Sequence, residues 1–195
     1  MACQRREHGI LVRPLIAGDA SMLHAAVRAS IASLSYWLPW CHPDYSRADA
    51  EAWVAHAEAA WARQSEFPFG VFDEDTGALL GCTGLSQVNG VNRAANLGYW
   101  IGEPYRGRGL ATRAVTMTAA IAFEELGLVR LEIVVLPHNH PSLRVAAKIG
   151  ATREAEARNR LMFQGQPSSA LVFSLIPGDV GEEHPSASTS ARGPV

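Results

Sequence analysis

Tyr99-Trp-Ile-Gly-Glu-Pro-Tyr-Arg-Gly-Arg-Gly-Leu-Ala-Thr-Arg113 reads as the end of a strand, a glycine-containing turn and the start of a helix. Upstream, Ala95, Leu97, Tyr99 and Ile101 alternate with Asn96, Gly98, Trp100 and Gly102, the period of two of a strand. Downstream, Leu110 to Leu126 reads as a long helix that Gly127 ends. A helix N-terminus presents unpaired N–H groups and a partial positive charge. Gly107 and Gly109 let the backbone approach a bulky anion with no Cβ in the way, and Arg106 and Arg108 add cationic charge. These parts together make a phosphate or pyrophosphate cradle. Read alone, Gly107-Arg-Gly109 is also a plain tight turn. No Lys-Ser/Thr follows the last glycine, so the segment is not a Walker A loop. The third glycine and the distal acid of a dinucleotide fingerprint are missing as well.

Working outward, Ile10 to Leu15 reads as a short strand, and Asp19 as the cap of a helix to about Ser30. Tyr36-Trp-Leu-Pro-Trp40 is an aromatic cluster interrupted by proline. Ser46-Arg-Ala-Asp49 resembles a capping box and opens a helix that carries Trp53, Ala57, Ala60 and Trp61 and ends near Gln64. Phe67 to Phe72 and Leu79 to Val88 are strands with a turn at Gly77, and Asn89-Gly90 marks the next turn. Beyond the long helix come a β-forming run from Arg130 to Leu136 and a short helix from Ser142 to Ile149. Two last strands, Thr152 to Phe163 and Ala170 to Ile176, are joined by Gln164-Gly-Gln-Pro167. Hairpins in the middle followed by a strand–helix–strand unit imply an α/β (α+β) domain with a mostly antiparallel sheet and helices on its faces.

A chain of 195 residues with 48 % apolar content fits one domain of ordinary size, taken as residues 1–177. The stretch from Gly178 to Val195, rich in Ser, Pro, Gly and Glu, is expected to be a disordered tail. A formal net charge of −2 gives no reason to expect nucleic acid or an anionic membrane as partner. The sequence holds neither a run of about 18 apolar residues nor a signal-like N-terminus, which points to the cytoplasm. Cys3, Cys41 and Cys82 have neither metal-ligand nor disulfide spacing, and Cys82 reads as a small core residue on a strand. His138 and His140 flank Asn139 without a third ligand, so no metal is expected.

A second segment, Leu136-Pro-His-Asn-His-Pro-Ser-Leu-Arg-Val-Ala-Ala-Lys-Ile-Gly-Ala151, places Asn139 after a strand, Ser142 at a helix start and Gly150 at its end. Turn formation and capping would account for Asn139 and Ser142 on their own. Taken together, the two segments resemble a known family. Arg106-Gly-Arg-Gly-Leu-Ala111 matches the (Gln/Arg)-x-x-Gly-x-(Gly/Ala) motif of the GNAT acyltransferase superfamily, and Asn139-x-x-Ser142 with Val145 to Ala151 resembles its next motif. Phe123 to Glu132, Arg13-Pro-Leu with Asp19-Ala20, and Trp37-Leu-Pro-Trp40 extend the likeness to the RimJ/RimL-type branch, which acetylates protein N-termini. The resemblance covers about residues 8–177. Arg113 stands where the branch often has Glu, Ala151 where Phe is common, and Ser168 and Ser169 where an acidic residue is frequent.

The resemblance implies a GNAT-like fold, a splayed seven-stranded sheet with helices on both faces. Acetyl-CoA would be the acyl donor, with its pantetheine bonded to the backbone of Trp100, Ile101 and Gly102. Its pyrophosphate would lie on the N–H groups of Arg106, Gly107, Arg108, Gly109, Leu110, Ala111 and Thr112. Asn139 would bond the pantetheine arm, and Ser142 would protonate the leaving thiolate. Glu103 is the carboxylate nearest the predicted cofactor strand, hence the candidate base, and also reads as a solvated turn residue. Tyr36, Trp37 and Trp40 are the candidate acceptor wall, or else aromatics buried under the first two helices. The acceptor implied is a protein or peptide N-terminal α-amine. Alternatives are a small-molecule amine such as an antibiotic, a catalytically silent acyl-CoA-binding module, and a nucleotide-binding regulatory domain. The branch often forms homodimers.

Overall fold

The computed structural model describes residues 3–180. In chain order the strands are β1 (Arg5–Glu7), β2 (Ile10–Pro14), β3 (Phe67–Asp73), β4 (Leu79–Asn89), β5 (Ala94–Ile101), β6 (Arg130–Val135), β7 (Thr152–Phe163) and β8 (Gln166–Leu175). The α-helices are α1 (Ala20–Arg28), α2 (Ile31–Trp37), α3 (Arg47–Arg63), α4 (Leu110–Glu124) and α5 (His140–Lys148). All eight strands form one sheet in the order β1-β2-β3-β4-β5-β6-β8-β7. Only β5 and β6 run parallel, and α4 is their crossover.

Local chemistry sets most boundaries. At α3 the Ser46 hydroxyl accepts from the Asp49 N–H (3.3 Å), while the Asp49 carboxylate accepts from the Ser46 N–H (2.8 Å). Gln64, at φ 54°, ends the helix in the left-handed region. In α4, Leu110, Ala114, Met117 and Ile121 are buried at helical spacing, and Gly127 (φ 67°) stops the chain. The β7–β8 hairpin turns on Gln164 and Gly165, both at positive φ, so Gln166 and Pro167 belong to β8 and not to the turn expected there.

Two cores sandwich the sheet. Beneath α4 and α5 lie Phe69, Leu85, Leu97, Leu131 and Ile133. On the other face α1, α2 and α3 pack through Leu23, Val27, Leu34 and Val54 against Leu15, Phe72 and Leu79. Cys82 is buried on β4 in this second core.

Several expectations change. The sheet has eight strands instead of seven, because Arg5–Glu7 folds back on β2 through His8 and Gly9, both at positive φ. Three polar residues carry no strand periodicity, so this edge strand has no sequence signal. Asp19 stands at the N-cap position of α1, but its side chain makes no bond to the helix. It is 2 % exposed and holds the Arg13 guanidinium through two bonds (2.6 and 2.8 Å) while accepting from the Ile16 N–H (2.9 Å). Arg13 in turn lies 3.8 Å above the Phe72 ring. The aromatic segment contains a helix, α2, anchored by buried Leu34. In α3, Ala50, Val54, Ala57 and Ala60 form the buried face, and Trp53 is 41 % exposed. Gly178 and Asp179 lie in a short 3-10 helix and Val180 packs against the core, so the expected tail does not begin at Gly178. Residues 181–195 of that expectation lie outside the described residues.

Three strands are tied by one cluster. Arg130 on β6 donates to both oxygens of Glu154 on β7 (2.9 and 2.5 Å) and to Glu132 (3.0 Å), while the Ser174 hydroxyl of β8 donates to Glu154 (2.8 Å). The hydrogen bonds from Arg130, then that from Ser174, hold the Glu154 carboxyl at about 2, below its ordinary 4.5. A depressed carboxylate stabilises the fold fully above its unfolded value, and the contribution disappears as the pH falls through the folded value. Thermal unfolding of Glu154→Gln is therefore expected to show its largest deficit in Tm against the wild type near neutral pH. The deficit should shrink between about pH 4.5 and pH 2.

Candidate active site

The sheet opens between β5 and β6. Their pairing covers three positions, Ala94 with Arg130, Ala95 with Leu131 and Asn96 with Glu132. Past these, β6 follows β8 as far as the pair Val135 and Leu171, whereas β5 follows β4 to the pair Ile101 and Gly81. The Gly102 N–H donates to the Leu80 carbonyl (2.8 Å), so it faces β4. The Trp100 carbonyl faces the same side, since a Cβ on Gly81 would strike its oxygen. Alternation along the strand then turns the peptide groups of Tyr99 and Ile101 toward the opening. Of the three backbone positions expected to bind pantetheine, only Ile101 presents its N–H there.

One cavity, of about 410 Å³, extends from the opening toward α4 and α5. Trp100, Ile101, Arg106, Gly107, Gly109, Leu110, Ala111, Thr112, Asn139 and Ser142 all line it, bringing the two sequence motifs together. Gly109, at φ 74°, is the N-cap of α4, with no side chain bonded to the helix end and no acid in the first turn. That end is therefore open to an anion. Arg144 and Lys148 on α5 also line the cavity and were not singled out in the sequence, where they read as ordinary exposed helix positions. Gly102, Glu103 and Arg108 do not line it. Glu103 is exposed at the start of a 3-10 turn, its N–H donating to the Ser30 hydroxyl (2.8 Å), and it reaches neither this cavity nor the next.

The start of α5 differs from expectation in a way that matters chemically. The helix begins at His140, and Asn139 is its N-cap, the side-chain oxygen accepting from the Ser142 N–H (3.2 Å). Ser142 is thus released from capping, and its hydroxyl lies 2.8 Å from the Tyr99 hydroxyl. Tyr99 also donates to the Ser142 carbonyl (3.2 Å). Burial pushes the Tyr99 phenol up to about 12, against the lowering effect of its Ser142 bond, so it is a neutral donor at physiological pH. The sequence pattern marked Tyr99 only as an inward strand position.

A second cavity, of about 580 Å³, lies on the α1–α3 side of the sheet and shares Leu38, Tyr99 and Trp100 with the first. Tyr45 and Trp53 stand in its wall, and Asp49 and Glu66 bring carboxylates. No lysine or arginine lines it, whereas Arg106, Arg144 and Lys148 line the first. The aromatic trio named from sequence divides. Trp40 enters this second cavity, 6.4 Å from the Trp100 ring and 6.0 Å from that of Tyr45. Trp37 lines the first cavity, and with Tyr36 it packs against Phe163 of β7. Tyr36 and Trp40 are 46 % and 45 % exposed, so neither is buried under the helices.

The sheet thus splays between a cavity lined by cations at a helix end and one lined by aromatics and carboxylates, an arrangement that suits an acyl-CoA-dependent transferase. The acetyltransferase (GNAT) domain family matches residues 10–152, and the chain belongs to that family. It is an N-acetyltransferase with acetyl-CoA as donor. YdaF of Bacillus subtilis (strain 168), provisionally named a ribosomal N-acetyltransferase, is 30 % identical over 89 % of this chain and 94 % of its own length. The spermidine N(1)-acetyltransferase of Escherichia coli (strain K12) is 26 % identical over 91 % of each chain. The solved structure of a provisionally named ribosomal-protein-serine acetyltransferase from Vibrio cholerae superposes with a TM-score of 0.77 at 35 % identity, covering 89 % of this chain and 97 % of that one. Likeness to the RimJ/RimL-type branch is borne out by these relatives. Among the described residues no cluster of three or more His, Cys, Asp or Glu is arranged to hold a metal, and no helix is long and apolar enough to cross a membrane.

Asn139→Ala removes the cap of α5 and is expected to cost about 1 kcal/mol, read as a fall of roughly 2–4 °C in Tm. Asn139→Asp, which keeps an acceptor at the cap, should retain most of that stability in the same measurement.

Proposed function

We propose that the enzyme transfers the acetyl group of acetyl-CoA to the α-amine of a protein or peptide N-terminus in the cytoplasm. The observation that carries this reading is the meeting of two cavities of opposite electrostatic character at Tyr99 and Trp100. The first suits a polyanion lying along a splayed strand. The second suits an acceptor that carries no negative charge. Relatives named for ribosomal-protein acetylation support the same choice.

The residues divide the work as follows. The α4 end, with Gly107, Gly109 and Arg106, holds the pyrophosphate, while Arg144 and Lys148 attract the remaining phosphate. The Ile101 N–H polarises the thioester carbonyl and stabilises the oxyanion. An N-terminal amine with an ordinary pKa of about 7.7–8.0 is roughly one quarter neutral at physiological pH, so a water path suffices to deprotonate it. The amine forms the C–N bond and the C–S bond breaks. The proton lost by nitrogen matches the one gained by the sulfur. Ser142 hands a proton to the sulfur and regains one through the Tyr99 hydroxyl 2.8 Å away, so neither ends the cycle ionised.

A second reading, a small-molecule amine acceptor, is favoured by one observation. Asp49 and Glu66 line the acceptor cavity, a chemistry that suits a polycation, and the spermidine N(1)-acetyltransferase is similar over 91 % of this chain.

Acetyl-CoA at about 100 times its Kd should stabilise the protein by about 2.7 kcal/mol, a rise of roughly 5–10 °C in Tm that ATP does not reproduce. Mass spectrometry of N-terminal peptides incubated with acetyl-CoA should show one added acetyl on the α-amine. Acetylation of spermidine with no peptide product would favour the second reading, and no thermal shift would sink both. Ser142→Ala is expected to lower kcat about tenfold to a hundredfold with little change in the KM for acetyl-CoA, and Tyr99→Phe to lower it less.

A further inference from the structure

The acceptor cavity has a floor made of bare backbone. Pro68, Gly84 and Gly98 are partners in register across β3, β4 and β5, and all three line the cavity. Two register positions away on the same face, the row Gly70, Cys82 and Trp100 carries side chains at two of its three places. Glycine inside a strand weakens it, and marks a bulge, a bend or a place where another backbone or a ligand comes close. At Gly81 the close group is visible, since an added Cβ would meet Trp100 and Ile101. At Gly84 it would crowd the Pro68 Cα at 3.3 Å, whereas at Gly98 a Cβ would meet nothing within 4 Å, so the open space lies over Gly98. The hollow is therefore space that the fold leaves unfilled.

Its walls are aromatic. Trp40 stands between Trp100 and Tyr45. Trp53 faces the cavity from α3 with its ring stacked on His56, 5.2 Å away. Hydrogen bonds from the Ser46 N–H and hydroxyl hold the Asp49 carboxyl below its ordinary range, so it is charged at neutral pH. His56 pairs with the other lining carboxylate, Glu66, at 3.2 Å.

We propose that this hollow is a specificity pocket for the first side chain of the acceptor peptide, and that it selects a large apolar side chain, aromatic above all, and rejects an acidic one. The inference rests on the peptide-acceptor reading above. With the amine held at the junction formed by Tyr99 and Trp100, the substituent on the adjacent α-carbon enters the space over Gly98. A methyl or hydroxymethyl group leaves that space to water, whereas an aromatic ring displaces water from Trp40 and Trp53. Each methylene buried favours binding about fourfold. An acidic side chain would meet Asp49 and Glu66 with no lysine or arginine to pair with it.

The test is a panel of peptides differing only at the first residue (Phe, Trp, Leu, Ala, Ser or Asp), assayed with the full-length enzyme and acetyl-CoA for kcat/KM. Phe and Trp should exceed Ala by at least about tenfold, with Asp lowest. Gly98→Leu, which fills the floor, and Trp53→Ala, which removes a wall, should each reduce the Phe-to-Ala ratio several-fold. The thermal shift with acetyl-CoA should persist in both variants, showing that donor binding and the fold are intact. Peptides acetylated with Ala or Ser ahead of Phe, or a ratio unchanged in both variants, would overturn the pocket and leave the peptide reading standing. A thermal shift with no acetylation of any peptide would overturn that reading, and the pocket with it.

Discussion

Everything at this site depends on a sheet that stops being a sheet after three residue pairs. Strands β5 and β6 are parallel neighbours at Asn96 and Glu132, and a few residues later they are committed to different partners. Their divergence is held from both sides. Arg130, Glu154 and Ser174 bind β6 to β7 and β8 at the closed end. The pairing of Gly81 with Ile101 and the bond from Gly102 to Leu80 keep β5 on β4 at the open end. A strand edge inside a domain would ordinarily be covered or paired. Here the peptide groups of Tyr99 and Ile101 face the opening with no strand beside them, the Ile101 carbonyl accepting instead from the Arg106 side chain (3.3 Å).

The division of charge follows from the same opening. On the α4 and α5 side the sequence supplies a helix end capped by glycine and three cations. On the α1–α3 side it supplies aromatics and carboxylates. The function proposed above uses this gap to keep an anionic donor and an acceptor without negative charge in separate cavities. Tyr99 belongs to both lining sets, and its hydroxyl partner Ser142 is available only because Asn139 has taken over the cap of α5. One hydrogen bond at a helix start thereby leaves the Ser142 hydroxyl free of the cap and facing Tyr99.

Residues carrying local signals could be read correctly from the sequence. The Gly107/Gly109 turn, the capping box at Ser46, the stop at Gly127 and the strand over Ala95 to Ile101 each depend on neighbours within a few positions. The two motifs of the donor cavity could be paired because a family resemblance supplied the long-range link. What differed depended on which groups the folded chain brings into contact. Asp19 looked like a cap because its partner Arg13 sits on the strand before it, and the strength of a buried bidentate pair overrides local capping. Trp53 follows the helical spacing of α3, yet it stands part-exposed in the wall of the second cavity, which Pro68, Gly84 and Gly98 also line. Of the two readings of Glu103, candidate base and solvated turn residue, its exposed place in a 3-10 turn matches the second.

The sequence by itself determined the order of most elements, the glycine turn before α4, the capping box of α3 and the family resemblance, since these are carried by periodicity and by residue types with fixed conformational demands. Tertiary structure alone decided where the sheet opens, that Ser142 faces Tyr99, that Trp40 and Trp37 serve different cavities, and that Pro68, Gly84 and Gly98 align into one floor. The reason is register. Strand register depends on contacts between residues far apart in the chain, and a shift of one position would turn Tyr99 and Trp100 each to the opposite face and break the row of Pro68, Gly84 and Gly98.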